Sequence, residues 1–181
     1  MRALVCKSWG DPSEALEIQS LPDPKAAWGQ VVVRMIASPI NPSDLLTIRN
    51  LYGRQPALPF VPGFEGVGRV ISGKGPLAWR VMGRRVAVIA AEGGAWADQC
   101  LIPAIRAIPI PDSIPDDQGA SFFVNPATAW AMVRNVLGVR SGDLLIQSAA
   151  AGAVGQMVLG LSKHLGLSLI HISEPTRPRL I

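Results

Sequence analysis

The stretch from Asp143 to Gly166, DLLIQSAAAGAVGQMVLGLSKHLG, constrains the fold more than any other part of the chain. Its pattern predicts a strand over Asp143–Gln147 and a loop of small residues over Ala149–Gly155. An amphipathic helix is expected over Gln156–Leu165, stopped by Gly166, which suits a helix C-terminal cap. Strand, glycine turn and helix in this order form the opening unit of a dinucleotide-binding fold. The loop does not carry a full G-x-G-x-x-G; it reads A-x-x-G-x-x-G at Ala149, Gly152 and Gly155. A pyrophosphate must approach backbone N–H groups at a helix N-terminus, and a large side chain there would block it. Gly155 would let the helix pack closely on the strand. The same loop also suits a tight turn whose small residues serve packing alone.

Upstream the pattern is different. RALVCK is strand-like, GDPSE is a turn, ALEIQSL alternates, and QVVVRMIASPI is the β-branched run of a buried strand. EGVGRVIS, RRVAVIA and AWADQCLIP are further strands between glycine and proline breaks. NPSDLLTIRN predicts one short helix: Asn41 at the N-cap, Pro42 at the first position, and Asp44 where a capping box places a carboxylate. Many short strands with one small helix suggest an irregular barrel. The character changes near Ser113, where SIPDDQGASFFVNPATAWAMVRNVLGV takes helical spacing with an interruption at Pro126.

Hydrophobic residues make up 49% of the 181, enough for a sizeable core, while Gly 18 and Pro 16 favour a turn-rich, β-containing fold. The net charge of +4 comes from scattered Lys and Arg with no aromatic interleaving, which argues against nucleic acid as a partner. Cys6 and Cys100 lie outside any C-x-x-C, so neither a zinc finger nor a disulfide framework is expected. No apolar run approaches the roughly 20 residues of a membrane helix, and no leader-like segment opens the chain. The expectation is a cytoplasmic protein without a membrane partner.

Tyr52, in NLYGRQPALPFVPGFEG, is the single tyrosine. By itself it reads as a partly buried packing residue with its hydroxyl in water. Asn125 reads as a cap or turn residue before Pro126. Ser43 and Asp44 read as caps, Glu65 as structural, and His164 as a solvated residue near a helix C-terminus, where positive charge is welcome.

SPINPSD, PGFEGVGRV, VNPATAW and the A-x-x-G-x-x-G loop together, in this order and spacing over about residues 1–166, resemble the medium-chain dehydrogenase/reductase superfamily. That resemblance implies a mixed β and α/β fold. A GroES-like β-barrel catalytic domain would cover 1–118, and the truncated start of a Rossmann cofactor-binding domain would cover 119–166. In the zinc alcohol dehydrogenases the glycine motif reads G-H-E, and its His binds the metal; here Phe64 stands in that place, and the Cys expected near Asn41 is missing. Without those ligands no tetrahedral catalytic zinc can form, so no metal site is expected. Within the zinc-free branch the chain is most similar to the mitochondrial-type and bacterial 2-enoyl thioester reductases, with the quinone oxidoreductases as the alternative. The resemblance implies NADPH as cofactor and Tyr52 as proton donor. It puts Asn125 on the nicotinamide side, and Ala151, Gly152, Ala153, Val154 and Gly155 against the cofactor. The partners it implies are a small-molecule or acyl-carrier thioester, and a second copy of the parent enzyme in a homodimer.

The end of the chain is of another kind. LSLIHISEPTR, Leu167 to Arg177, matches a translated transposase-type sequencing adapter, so residues 167–181 are expected to be a non-native tail and the chain as written an inactive fragment. SLIHIS looks like a second strand, and Glu174 falls about 20 residues after the glycine loop, where an acidic residue would hold the adenine ribose. Given the adapter match, neither Glu174 nor His171 is assigned a role.

Overall fold

The computed structural model describes residues 1–53 and 55–172. The chain forms two compact units, Met1–Phe122 and a second from Phe123 onward.

In the first unit, β1 (Arg2–Cys6) pairs antiparallel with β2 (Leu16–Ser20). Where GDPSE predicts a turn, one helical turn forms instead, α1 (Pro12–Ala15). Asp11 caps it by accepting the Ser13 N–H at 2.9 Å, and Pro12 supplies a first position that needs no donor. The main sheet holds β3 (Gln30–Ala37), β4 (Glu65–Gly73), β5 (Arg85–Ile89), β6 (Gln99–Pro103) and β7 (Ala107–Pro109), in the order β6-β3-β4-β5-β7 and antiparallel throughout. β3 is an interior strand, paired on both edges, and Val31, Val32 and Val33 are buried in succession, so an unbroken β-branched run replaces alternation. Val31 and Val33 join Val70, Val86, Val88 and Ile102 in the largest core cluster. β3 and β4 approach closely at Gly66, where an added Cβ would lie 2.7 Å from the Ala37 carbonyl oxygen. The helices are α2 (Pro42–Ile48), α3 (Pro76–Val81) and α4 (Asp116–Ala120).

The second unit opens with α5 (Val124–Trp130), which continues as a wider turn over Ala131–Val136. Pro126 does not interrupt this helix. It sits in the first turn, where its missing N–H has no intrahelical partner to lose. β8 (Leu144–Ser148), α6 (Ala153–Leu165) and β9 (Ser168–Ile172) follow, and β9 pairs parallel to β8. α6 starts three residues earlier than the periodicity predicts, because Gly152 takes the N-cap position. It ends as expected at Gly166, left-handed at φ 67°. Ala129, Val133 and Val158 form the core of this unit, with Leu145, Leu161 and Leu169 packed on it. On the other sheet face Leu144, Ile146 and Ile170 are exposed. The strand suggested by SLIHIS therefore forms, since its alternating apolar residues meet those of β8 whatever the origin of the segment. Residues 173–181, which include Glu174 and the end of the adapter-like stretch, lie outside the described residues. Among the described residues no helix is long and apolar enough to cross a membrane.

Candidate active site

In the first unit the site is built where α2 meets the start of β4. The local sequence dictates the helix start: Pro42 fixes the first turn, and the Asp44 Oδ2 accepts the Asn41 N–H at 2.8 Å, half of the predicted capping box. Tertiary contacts complete it. The Phe64 N–H donates to Asp44 Oδ1 (3.1 Å), and the Asn41 side-chain amide donates to Glu65 Oε1 (2.9 Å). Asp44 and Glu65 are each 1% exposed. Burial pushes the Asp44 carboxyl above the usual carboxylate range; the two backbone N–H bonds pull it back down, and the nearby Glu65 charge adds to the rise. Asp44 and Glu65 are thus the cap and the structural residue that the sequence suggests, and Asp44 is in addition part of a cavity wall.

That cavity, about 510 Å³, is lined by Asp44, Thr47, Gln55, Phe60, Phe64 and Glu92 among others. Tyr52 stands beside it, in the bend that follows α2, with Asn50 left-handed at φ 59°. The Tyr52 ring lies 6.2 Å from the Phe64 ring, tilted by 44°, and is 47% exposed. The Gln55 side-chain N–H donates to the Tyr52 carbonyl oxygen at 2.7 Å, which ties the tyrosine backbone to the cavity wall. Phe64 thus serves as an apolar surface beside the tyrosine ring. Among the described residues no cluster of three or more His, Cys, Asp or Glu side chains is placed to hold a metal ion.

In the second unit, Asn125 is the second residue of α5 and half-buried. The predicted loop residues divide in two. Ala151 and Gly152 lie in the turn between β8 and α6, while Ala153, Val154 and Gly155 form the first turn of α6. Ala151, Gly152 and Ala153 are exposed and carry no bulk, so a phosphate has open access to the helix N-terminus. The turn is held by the Gly152 N–H to the Ala149 carbonyl (3.0 Å) and by the Gln156 side chain to the Ala151 carbonyl (2.9 Å). Ala149 is left-handed at φ 52°, a conformation disfavoured for any residue with a Cβ. Gly155 is buried for a somewhat different reason than helix-on-strand packing: a Cβ there would lie 2.7 Å and 2.8 Å from the Ala150 and Ala149 carbonyl oxygens. Gly155→Ala is therefore expected to destabilise the second unit by about 1–3 kcal/mol, as overpacking does. The protected amides of α6 should then exchange with deuterium roughly fivefold faster or more, and unchanged exchange would contradict the close approach.

Sequence reasoning missed Gln55. Its spacing of three from Tyr52 allows a side chain to reach back to a backbone carbonyl, but the cavity that gives the contact meaning is assembled from segments far apart in the chain.

Residues 27–112 match the family described as the alcohol dehydrogenase GroES-like domain. The chain is similar to the mitochondrial enoyl-[acyl-carrier-protein] reductase of Rattus norvegicus, 36% identical over 172 residues that cover 95% of this chain and 46% of that protein. Among solved structures it resembles the quinone oxidoreductase of Thermus thermophilus, a protein also crystallised with NADPH, at a TM-score of 0.83 and 31% identity. That match covers 97% of this chain and 54% of the other. It also resembles the quinone oxidoreductase of Pseudomonas syringae pv. Tomato, at a TM-score of 0.84 and 28% identity, covering 96% and 53%. The chain thus spans about half the length of the curated relatives it matches.

Proposed function

We propose that this chain, which belongs to the medium-chain dehydrogenase/reductase superfamily, is part of an NADPH-dependent oxidoreductase that reduces 2-enoyl thioesters. The observation that supports this reading is the position of the single tyrosine: its ring lies against Phe64 and its carbonyl is held by Gln55, both residues of the cavity wall. The small-residue turn at the start of α6 fits a pyrophosphate, with Ala151, Gly152, Ala153, Val154 and Gly155 against the cofactor and Asn125 on its nicotinamide side. NADPH, when bound, supplies a hydride to the β-carbon of the enoyl thioester. Tyr52 then gives its phenolic proton to the α-carbon. The walls formed by Phe60 and Phe64 hold the acyl chain and keep water from it.

Reduction in deuterium oxide tests the proton route. The saturated product should carry one solvent-derived deuterium at the α-carbon and none at the β-carbon. Deuterium at the β-carbon, or none at the α-carbon, would overturn the assignment.

A quinone oxidoreductase is the second reading, favoured by the structural likeness to the Thermus enzyme. There Tyr52 would orient a quinone oxygen. Either way the chemistry is zinc-independent, because Phe64 stands where the metal-binding histidine would be. Elemental analysis of the purified full-length protein should find far less than one zinc per chain; one tightly bound zinc per chain would contradict this.

A further inference from the structure

A residue of the cavity wall beside Tyr52 carries a polar atom that the proposed proton transfer does not use. Gln55 Oε1 is buried and has no hydrogen-bond partner, and among the described residues it is the one buried side-chain polar atom in that state. Its orientation is fixed, because the other end of the same amide must donate to the Tyr52 carbonyl oxygen at 2.7 Å. Gln55 is one of the residues that line the cavity, and its unpaired oxygen is covered in the ligand-free protein. Buried acceptors in native proteins are nearly always satisfied, and one left open at a ligand cavity points to a donor on the ligand.

We infer that Gln55 is a specificity-determining residue whose amide oxygen accepts an N–H from the substrate, and that the group it reads is a secondary amide on the arm carrying the thioester. The inference rests on the thioester reading above and deepens it. The apolar wall at Phe60 and Phe64 suits an acyl chain but offers it no hydrogen bond. A quinone carries only acceptors and would leave the oxygen unpaired. A thioester on an amide-bearing carrier supplies the missing donor. A site that hydrogen-bonds a substrate N–H rejects the analogue without it, because the buried acceptor is then left alone. The same amide holds the Tyr52 backbone, so the residue that reads the arm also sets the position of the tyrosine.

The test reads binding and not turnover, so its outcome is separate from whether the thioester is reduced. Dissociation constants are measured by calorimetry for S-crotonyl-N-acetylcysteamine and for its N-methyl counterpart, which keeps the arm but has no N–H. The wild-type protein should bind the N–H probe more tightly by roughly three- to tenfold, the range of one buried hydrogen bond. Gln55→Met, similar in size but with no amide, should bind the two probes equally. Gln55→Leu, measured alongside, gives the same comparison if the Met variant does not fold. Equal binding of both probes by the wild type would overturn the inference, and so would a preference for the N–H probe that survives in a folded Gln55 variant. Should the inference hold while no enoyl thioester is turned over, the cavity reads an amide-bearing ligand and the thioester reading alone fails.

Discussion

Replacing Asp44 by alanine is expected to destabilise the first unit by about 2–4 kcal/mol, because two buried backbone donors lose their acceptor at once. The Asn41 N–H and the Phe64 N–H both end on this carboxylate, at 2.8 Å and 3.1 Å, and Asp44 is only 1% exposed. Urea unfolding followed by circular dichroism measures the loss, and a midpoint within error of the wild type would contradict it. The pH dependence carries a sign of its own. The folded-state carboxyl is raised above its ordinary value of 3.8, chiefly by burial, so the folded protein holds this proton more tightly than the unfolded chain. The stability Asp44 contributes through this linkage is full below the ordinary value and is lost as pH rises through the raised one. The penalty of Asp44→Ala should therefore be largest near pH 4 and shrink toward neutrality. A penalty that grew with pH would mean that the two N–H bonds outweigh burial.

Tyr52→Phe in the full-length enzyme should lower kcat for an enoyl thioester by roughly 100-fold or more, the contribution of a positioned acid. That corresponds to at least about 2.7 kcal/mol of transition-state stabilisation, at about 1.36 kcal/mol per tenfold. Fold and NADPH binding should be nearly unchanged. The ring still packs on Phe64, and the Gln55 contact is made to the backbone and so survives the substitution. The loss should fall on kcat more than on KM, since the hydrogen bond strengthens as charge develops on the substrate. Unaltered kcat would return Tyr52 to a packing role.

What could be read from the sequence was local. The start of α2 at Asn41, Pro42 and Asp44 follows from residue types within four positions, and so does the end of α6 at Gly166. The strand, turn and helix of the second unit follow from their periodicity. Elements without a local signature were not legible. α3 buries only Ala78 and Val81, too few to show a helical period, and β7 has three residues. The order β6-β3-β4-β5-β7 is set by pairing between distant segments, with β3 against β6 nearly seventy positions later in the chain. In the candidate site the tyrosine was legible, because a single phenol in a loop is conspicuous and a family resemblance gave it a role. Gln55 was not, since its significance depends on the cavity wall around it. Glu65 could be called structural, but its partner Asn41, on a different element, could not be foreseen.

The most direct measurement is a parallel determination of kcat/KM for NADPH oxidation by the full-length wild-type protein, with crotonyl-coenzyme A in one series and 1,4-benzoquinone in the other. An enoyl thioester reductase should show the larger value with the thioester, and the thioester rate alone should collapse in Tyr52→Phe. A quinone rate that exceeds the thioester rate, with both rates indifferent to Tyr52→Phe, would contradict thioester reduction at this site.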